Sequence, residues 1–208
     1  DTGLSVTLKY LTTNLSHRLL SPHIFRYQIM SRKSKTNIGM AHTILKRARL
    51  CPSATALTFE GFSQTFAQFG GRIRRIAAVL RDGGVCQGDR VGYIGLNHPC
   101  FLETLYACGC LGAIFVPLNF RLTGPEVRFI ANDAGIQTMM ADANYIDLID
   151  DEKEHLHCSR YISIENDAEG WQGLESLLFD KGPLTFVEHV SEDDVALIMY
   201  TSGTTGLP

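Results

Sequence analysis

The sequence is most constrained by an alternation of short apolar segments and longer helix-like segments between residues 91 and 141. Three apolar segments have the length of buried strands, namely residues 91–96, 114–118 and 136–141. Between them lie two segments of helical length, residues 100–111 and 123–134. Strands and helices that alternate at this spacing are typical of βαβ units, in which parallel strands form a sheet and helices cover its faces. We therefore predict an α/β fold with a parallel-type sheet and flanking helices.

Capping residues mark the ends of the predicted helices. Residues 123–126 read Thr-Gly-Pro-Glu, a capping box that starts a helix, and Gly135 closes it. After Phe59, apolar residues recur at steps of four and three, which predicts an amphipathic helix that ends at Gly83 and Gly84. This apolar stripe consists of Phe62, Phe66, Phe69, Ile73, Ile76 and Leu80. The arginines beside it are expected on a solvated face; they are Arg72, Arg74, Arg75 and Arg81.

The second half of the chain is less regular and ends on a predicted strand. Residues 142–194 are irregular and acidic, with a predicted strand at 161–164 and a predicted short helix at 174–179. Residues 195–200 form the last predicted strand, which leads directly into residues 201–208. These last residues therefore begin at the end of a sheet, where α/β proteins bind ligands.

Charge is distributed unevenly along the chain. Residues 1–59 carry nine Lys or Arg against one acid, Asp1, although the net charge of the 208 residues is −3. A basic, acid-poor start is typical of an organelle transit peptide. We favour a second interpretation, in which Met30 or Met40 initiates the protein and residues 1–29 are a translated leader. We accordingly expect residues 1–39 to be a disordered leader or upstream segment and residues 40–208 to form the folded domain.

Composition argues against several classes of protein. A slightly negative net charge gives no reason to expect a nucleic-acid partner. No segment reaches the roughly 18 apolar residues that a membrane span needs, so we predict no transmembrane segment. The six cysteines contain no CxxC pair, which favours buried, reduced thiols in a cytosolic protein. We expect a cytoplasmic protein, or a mitochondrial one if the basic N-terminus is genuine.

Several clusters of acidic and histidine residues are interpreted as structural. Residues 150–158 combine acids with His155, His157 and Cys158, but exposed runs of this kind are more often solvated loops than metal sites. The acidic residues 192–194 are expected to solubilise the entry to the last strand. His98, which precedes a proline, is expected to be a turn residue. We therefore predict no metal site.

The end of the chain has the composition of a phosphate-binding loop. Gly203 and Gly206 allow a tight turn that brings backbone N–H groups close to an anion. Four hydroxyl groups add further donors, those of Thr201, Ser202, Thr204 and Thr205. A plain surface turn has the same composition, so both interpretations stay open on composition alone. The spacing matches neither GxxxxGK[ST] nor GxGxxG, which gives little support to a kinase or Ras-like protein.

Residues 200–208, Tyr-Thr-Ser-Gly-Thr-Thr-Gly-Leu-Pro, resemble the signature loop of the adenylate-forming superfamily, which includes acyl-CoA synthetases. In that family the loop continues with Lys-Gly, one residue beyond this chain. Upstream, Gly88-Asp-Arg-Val91 with Asn97, and residues 112–119 with Arg121, resemble two further family segments in the same order. Residues 59–66 depart from the family, because Phe66-Ala67-Gln68 replaces a tyrosine-centred helix start. The resemblance covers about residues 40–208.

The resemblance implies an incomplete, AMP-binding N-terminal domain at residues 40–208, the first part of an acid–thiol ligase. Such enzymes use Mg²⁺ and ATP to convert a carboxylic acid, here a fatty or related acid, to an acyl-adenylate, and then transfer the acyl group to coenzyme A. The loop residues implied to hold the β- and γ-phosphates are Thr201, Ser202, Gly203, Thr204, Thr205 and Gly206. Asn119 and Arg121 are expected to have core or surface roles.

The family's acyl pocket, acidic Mg²⁺ ligand and catalytic lysine all follow this loop, so the 208 residues alone are predicted to be inactive. Four alternatives stay open. They are an acyl-AMP ligase, a peptide-synthetase-type adenylation enzyme, a truncated non-catalytic relative, and an unrelated phosphate-binding α/β protein.

Overall fold

A computed structural model describes residues 39–185, 188–191 and 193–201, which contain seven strands, six α-helices and two short 3₁₀ helices. The strands are β1 (Thr55–Phe59), β2 (Phe62–Thr65), β3 (Arg90–Ile94), β4 (Ile114–Leu118), β5 (Ile136–Ala141), β6 (Arg160–Ser163) and β7 (Gln172–Gly173). The helices are α1 (Met40–Leu50), α2 (Phe66–Asp82), α3 (Pro99–Leu111), α4 (Gly124–Ala134), α5 (Ile146–Asp150) and α6 (Leu174–Leu178). The predicted leader, residues 1–39, lies outside the described residues except for Gly39.

The central sheet has the order β4-β3-β5-β6-β7, and every neighbouring pair is parallel. Two crossovers, through α3 and α4, connect its first three strands, as the sequence predicts. The predicted strands 114–118 and 136–141 and the predicted helix 123–134 match β4, β5 and α4 within one residue. Thr123 and Glu126 form the predicted capping box, and Gly135 ends the helix with a φ of 68°. The predicted α/β fold class is confirmed.

The side chains of β3–β5 alternate between two apolar layers, as expected for strands covered on both faces. On one face, Tyr93, Phe115 and Met140 pack with α2 and α3. On the other face, Ile94, Val116 and Met139 pack with α4 and α5. All six side chains are fully buried. Burial on both faces explains why these strands are continuous apolar runs in the sequence.

The start of α2 differs from the prediction. Phe62, placed on the helical stripe by its spacing, instead begins β2 and is 83% exposed. Glu60 and Gly61 have φ angles of 49° and 83° and form a two-residue hairpin turn between Phe59 and Phe62. The helix begins only at Phe66, where Thr65 and Gln68 form a capping box. The sequence predicted neither this hairpin nor α1. The hairpin escaped prediction because a step of four from Phe62 to Phe66 imitates helical spacing.

The predicted last strand, residues 195–200, is an extended segment rather than a full strand. The Phe115 amide donates to the Ala196 carbonyl and the Ile198 amide donates to the Phe115 carbonyl, both at 3.0 Å. Phe115 and Leu197 form a single parallel bridge. The segment therefore runs alongside β4 in the same direction, at the edge of the sheet.

The arginines of α2 are not all on a solvated face, which corrects the prediction. Arg72 Nε lies 2.6 Å from Oε2 of Glu103, a carboxylate that is only 1% exposed, and the Arg72 guanidinium also pairs with Glu175. This bond lowers the pKa of the Glu175 carboxyl. Arg74 Nε donates to the Leu184 carbonyl at 2.7 Å. These contacts connect α2 to α3, to α6 and to the chain that follows α6.

We expect Gly92→Ala to destabilise the chain, because a Cβ at this buried position of β3 would lie 2.8 Å from Ile136 Cδ1 and 2.9 Å from Ile136 Cγ2. Overpacking of this kind costs roughly 1–3 kcal/mol. Gly71→Ala is the control, since its Cβ meets nothing within 4 Å and alanine is the better helix former by about 1 kcal/mol. In urea unfolding, the urea concentration at the midpoint should be lower for Gly92→Ala and higher for Gly71→Ala than for the wild-type chain. Equal midpoints would contradict the packing around β3.

We expect Glu103→Ala to cost about 3 kcal/mol of unfolding free energy, because it removes the buried partner of Arg72. Glu175→Ala should cost less than about 1 kcal/mol, because the Glu175 side chain is 54% exposed. Urea unfolding of both variants measures the difference. Similar losses of unfolding free energy in the two variants would show that the buried Arg72–Glu103 pair contributes no more than the exposed one.

Candidate functional site

The carboxyl ends of β3, β4, β5 and β6 lie at one edge of the sheet, because these strands are parallel. Open α/β sheets bind ligands outside this edge. The segments that leave it are residues 95–98, 119–123 and 142–145. This edge is the candidate functional site.

The segment that leads into the predicted phosphate loop lies beside β4. The segment 195–200 runs parallel to β4, so it delivers the chain toward the carboxyl edge. Tyr200 packs on the α4 side of the sheet, and its hydroxyl donates to Asp133 Oδ2 at 2.5 Å. Burial and this bond raise the pKa of Tyr200 to about 12. The last residue before the loop is therefore fixed to α4.

Only the first of the six predicted loop residues belongs to the described part of the chain. Thr201 is exposed, so its hydroxyl is accessible to a ligand. Ser202, Gly203, Thr204, Thr205 and Gly206 lie outside the described residues. The structure thus positions the entry to the loop, and the phosphate-binding role of these residues stays a prediction.

Asn119 and Arg121, which follow β4, lie at the surface, which is one of the two roles that the sequence left open. Both residues are exposed. Asn119 Oδ1 accepts from the Arg121 amide at 3.0 Å, and the Arg121 guanidinium carbon lies 4.7 Å above the centre of the Phe120 ring. Phe120 in turn contacts Tyr145, which follows β5, with ring centres 6.4 Å apart. These contacts shape the loops at the edge of the sheet.

Asp142, for which the sequence predicted no role, follows β5 and connects its carboxyl end to that of β3. Its amide donates to the Ile94 carbonyl at 3.0 Å, and its Oδ1 accepts from the amide and side chain of Asn144 at 2.9 and 2.6 Å. The side chain is only 6% exposed. A carboxylate placed directly after a buried strand was the signal in the sequence. Its bonds are local, so it stabilises the turn rather than presenting a charge to a ligand.

His98 caps α3, in agreement with its predicted turn role. Its Nδ1 accepts from the Cys100 amide at 3.2 Å, and its ring contacts Phe59 edge-on with centres 5.6 Å apart. This bond satisfies one of the free amides at the start of the helix.

The acidic clusters are structural where the structure describes them. Asp150 Oδ1 accepts from Trp171 Nε1 and Lys153 Nζ, both at 2.9 Å. Asp194 Oδ2 accepts from the Ser191 amide at 2.8 Å, whereas Glu192 lies outside the described residues. Among the residues that the structure describes, no group of three or more His, Cys, Asp or Glu side chains is placed to hold a metal ion. Thr201 thus supplies an exposed hydroxyl, and the described residues present no cluster of candidate metal ligands.

Three of the six cysteines are buried thiols, as predicted, and three are not. Cys100, Cys108 and Cys110 are buried, and burial raises the pKa of Cys100 and Cys110 to about 12. These groups are protonated near neutral pH, which makes them poor metal ligands and nucleophiles. Cys51 and Cys158 are partly exposed and Cys86 is exposed, so the prediction of burial is wrong for Cys86.

No helix in the described ranges is long and apolar enough to cross a membrane.

Known proteins match most of this chain. The sequence model of the AMP-binding enzyme family matches residues 44–208. A feruloyl-CoA synthase of Amycolatopsis sp is 39% identical over 172 residues, which are 83% of this chain and 32% of that protein. An indoleacetate–CoA ligase of Aromatoleum aromaticum is 35% identical over 81% of this chain and 33% of its own length. The chain thus spans about a third of the length of these curated relatives.

Solved structures agree with this match. The anthranilate CoA ligase AuaEII in complex with anthranoyl-AMP superimposes with a TM-score of 0.75 and 26% identity, over 81% of this chain and 33% of that one. The fatty acyl CoA synthetase of Mycobacterium tuberculosis superimposes with a TM-score of 0.70 and 29% identity, over 79% and 32% of the two chains. With the family model matching residues 44–208, the chain belongs to the AMP-binding enzyme family of adenylate-forming enzymes.

Proposed function

We propose that the protein activates a carboxylic acid with ATP and transfers the acyl group to coenzyme A. The observation that carries this proposal is the loop sequence at residues 201–208, which follows the parallel edge segment in a chain of the AMP-binding family. The similarity to feruloyl-CoA synthase and indoleacetate–CoA ligase supports coenzyme A as the acceptor. ATP, Mg²⁺ and coenzyme A are thus the small molecules that we propose for this protein.

The proposed reaction has two steps. A carboxylate oxygen attacks the α-phosphorus of ATP, and the bond to the β-phosphate oxygen breaks, which releases pyrophosphate and leaves the acyl-adenylate. The coenzyme A sulfur then attacks the acyl carbon, gives up its proton, and displaces AMP. Hydroxyl and backbone N–H donors in the loop stabilise charge on the departing pyrophosphate. This electrostatic role is what we propose for Thr201 and the five loop residues after it.

The acid is a fatty acid or a related carboxylic acid in this proposal. Relatives named for ferulate, indoleacetate and long-chain fatty acids have similar identities to this chain, so aromatic acids belong in the same test. A carrier protein is the second candidate acceptor, because a fatty acid–[acyl-carrier-protein] ligase of Streptomyces coeruleorubidus is 31% identical to this chain over 157 residues. The protein is proposed to act with small molecules, whereas its oligomeric state is left open.

We expect the product of the complete transcript to exchange labelled pyrophosphate into ATP only when an acid is present. Ferulate, indoleacetate and dodecanoate are the acids to compare, followed by coenzyme A and a carrier protein as acceptors. Thr205→Val should lower exchange by about 10²-fold, because one donor to the leaving group is lost. Thr58→Val is the control, since its hydroxyl bonds the Ser63 hydroxyl on the exposed hairpin at 2.8 Å.

Exchange that does not depend on an acid would exclude acid activation. Equal rates in the two threonine variants would exclude the loop as the phosphate site. Thioester formation by the 208 residues alone would contradict the proposal that activity needs residues outside this chain.

We expect Tyr200→Phe to loosen the segment that leads into the loop, because it removes the hydrogen bond to Asp133. A bond of this kind contributes about 1 kcal/mol, so the Ile198 amide should exchange its hydrogen roughly fivefold faster. Asp133→Asn keeps an acceptor and should have a smaller effect. Hydrogen exchange followed by mass spectrometry makes the measurement, and an unchanged rate at Ile198 would show that the bond does not hold the segment.

A further inference from the structure

A cavity of about 460 Å³ lies between α1 and α2, away from the loops of the carboxyl edge. Its apolar lining comes from Leu45 and Ala48 of α1 and from Ala67 and Gly71 of α2. Small-molecule sites in proteins have volumes of about 300–1,000 Å³ and a mostly apolar lining. This α1–α2 cavity therefore has the size and the surface of a ligand site. It contains none of the residues that the proposed reaction uses.

The rim of the α1–α2 cavity is basic. His42 and Arg49 line it from α1, and Arg74 lines it from α2. Arg74 uses Nε to bond the Leu184 carbonyl, which fixes the stem of its side chain. None of these three side chains forms an ion pair with a carboxylate in the part of the chain that the structure describes. The rim thus presents two guanidinium groups beside an apolar lining, and no carboxylate of the described residues is paired with them.

The shape of the α1–α2 cavity follows from two neighbouring glycines. At Gly70 the helices are so close that a Cβ would lie 2.9 Å from Ala48 Cβ. At Gly71 a Cβ would meet nothing within 4 Å. The helices therefore touch at one glycine and leave open space at the next. A Cβ added at Gly71, which lines the cavity, would meet no other group within 4 Å.

We propose that the α1–α2 cavity binds a small amphiphile that has an apolar body and one anionic headgroup. The apolar body contacts Leu45, Ala48 and Ala67, and the headgroup is paired with Arg49 and Arg74. Guanidinium groups pair with carboxylates and phosphates through parallel hydrogen bonds, so either headgroup has the required chemistry. This site is separate from the proposed ATP loop and does not depend on the proposed reaction.

Calorimetric titration of the 208-residue chain tests this proposal with decanoate, decyl phosphate and the neutral analogue 1-decanol, each below its aggregation concentration. We expect one site per chain for at least one of the two anions, and the tighter anion identifies the headgroup. 1-Decanol should bind at least tenfold more weakly. Gly71→Leu should abolish binding by filling the cavity, whereas Gly71→Ala should retain it.

Matched variants separate this site from general attraction to a basic surface. Arg49→Gln should weaken binding of the anion at least fivefold, and Arg47→Gln, on the same helix but outside the cavity, should leave it unchanged. Gly71→Leu should melt at or above the temperature of the wild-type chain, since leucine is the better helix former, so its loss of binding cannot result from unfolding.

An absence of binding by both anions would overturn the proposal. Binding that survives Gly71→Leu, or equal losses in the Arg49 and Arg47 variants, would overturn it too. Equal binding of 1-decanol would also overturn it, because the headgroup would then have no role. An acid held at a catalytic site elsewhere would be unaffected by Gly71→Leu, which keeps this test independent of the proposed ligase activity.

Discussion

The parallel pairing of β3 with β4 on one side and β5 on the other is the constraint on which the rest of the structure depends. Gly92 sits in the middle of β3 with no room for a side chain, because Ile136 fills the space above it. Parallel pairing requires crossovers, and α3 and α4 supply them on opposite faces of the sheet. The same pairing places the loops that leave β3, β4 and β5 at one edge. The location of the candidate site is thus a consequence of strand direction.

The sequence predicted the central sheet well because its signals are local. A continuous apolar run shows a strand buried on both faces, and the Thr123–Glu126 box and Gly135 show where α4 begins and ends. The failures have a different origin. Phe62 fits a helical step, and only the turn at Glu60 and Gly61 reveals the hairpin. The partner of Arg72 is 31 residues away in the sequence, so no spacing rule could identify Glu103 as a buried carboxylate.

The sequence predicted an extended segment before Thr201, and the structure has one beside β4, whereas the phosphate-binding role of the loop stays a prediction. The bond that holds this segment was not predictable, because Tyr200 and Asp133 are 67 residues apart. Three of the basic residues near the start, Lys46, Arg47 and Arg49, belong to α1 and so to the folded chain. The cytoplasmic location and the leader at residues 1–39 stay predictions. The basic rim of the α1–α2 cavity likewise needed the structure, because it joins side chains from two helices.

The central claim is that residues 201–206 hold the phosphates of ATP. A crystal structure of the product of the complete transcript with an ATP analogue tests this claim most directly. The account predicts that the β- and γ-phosphate oxygens lie within hydrogen-bond distance, about 2.7–3.2 Å, of the backbone amides and hydroxyls of this loop. Phosphates bound elsewhere, with the loop making no contact to them, would contradict it.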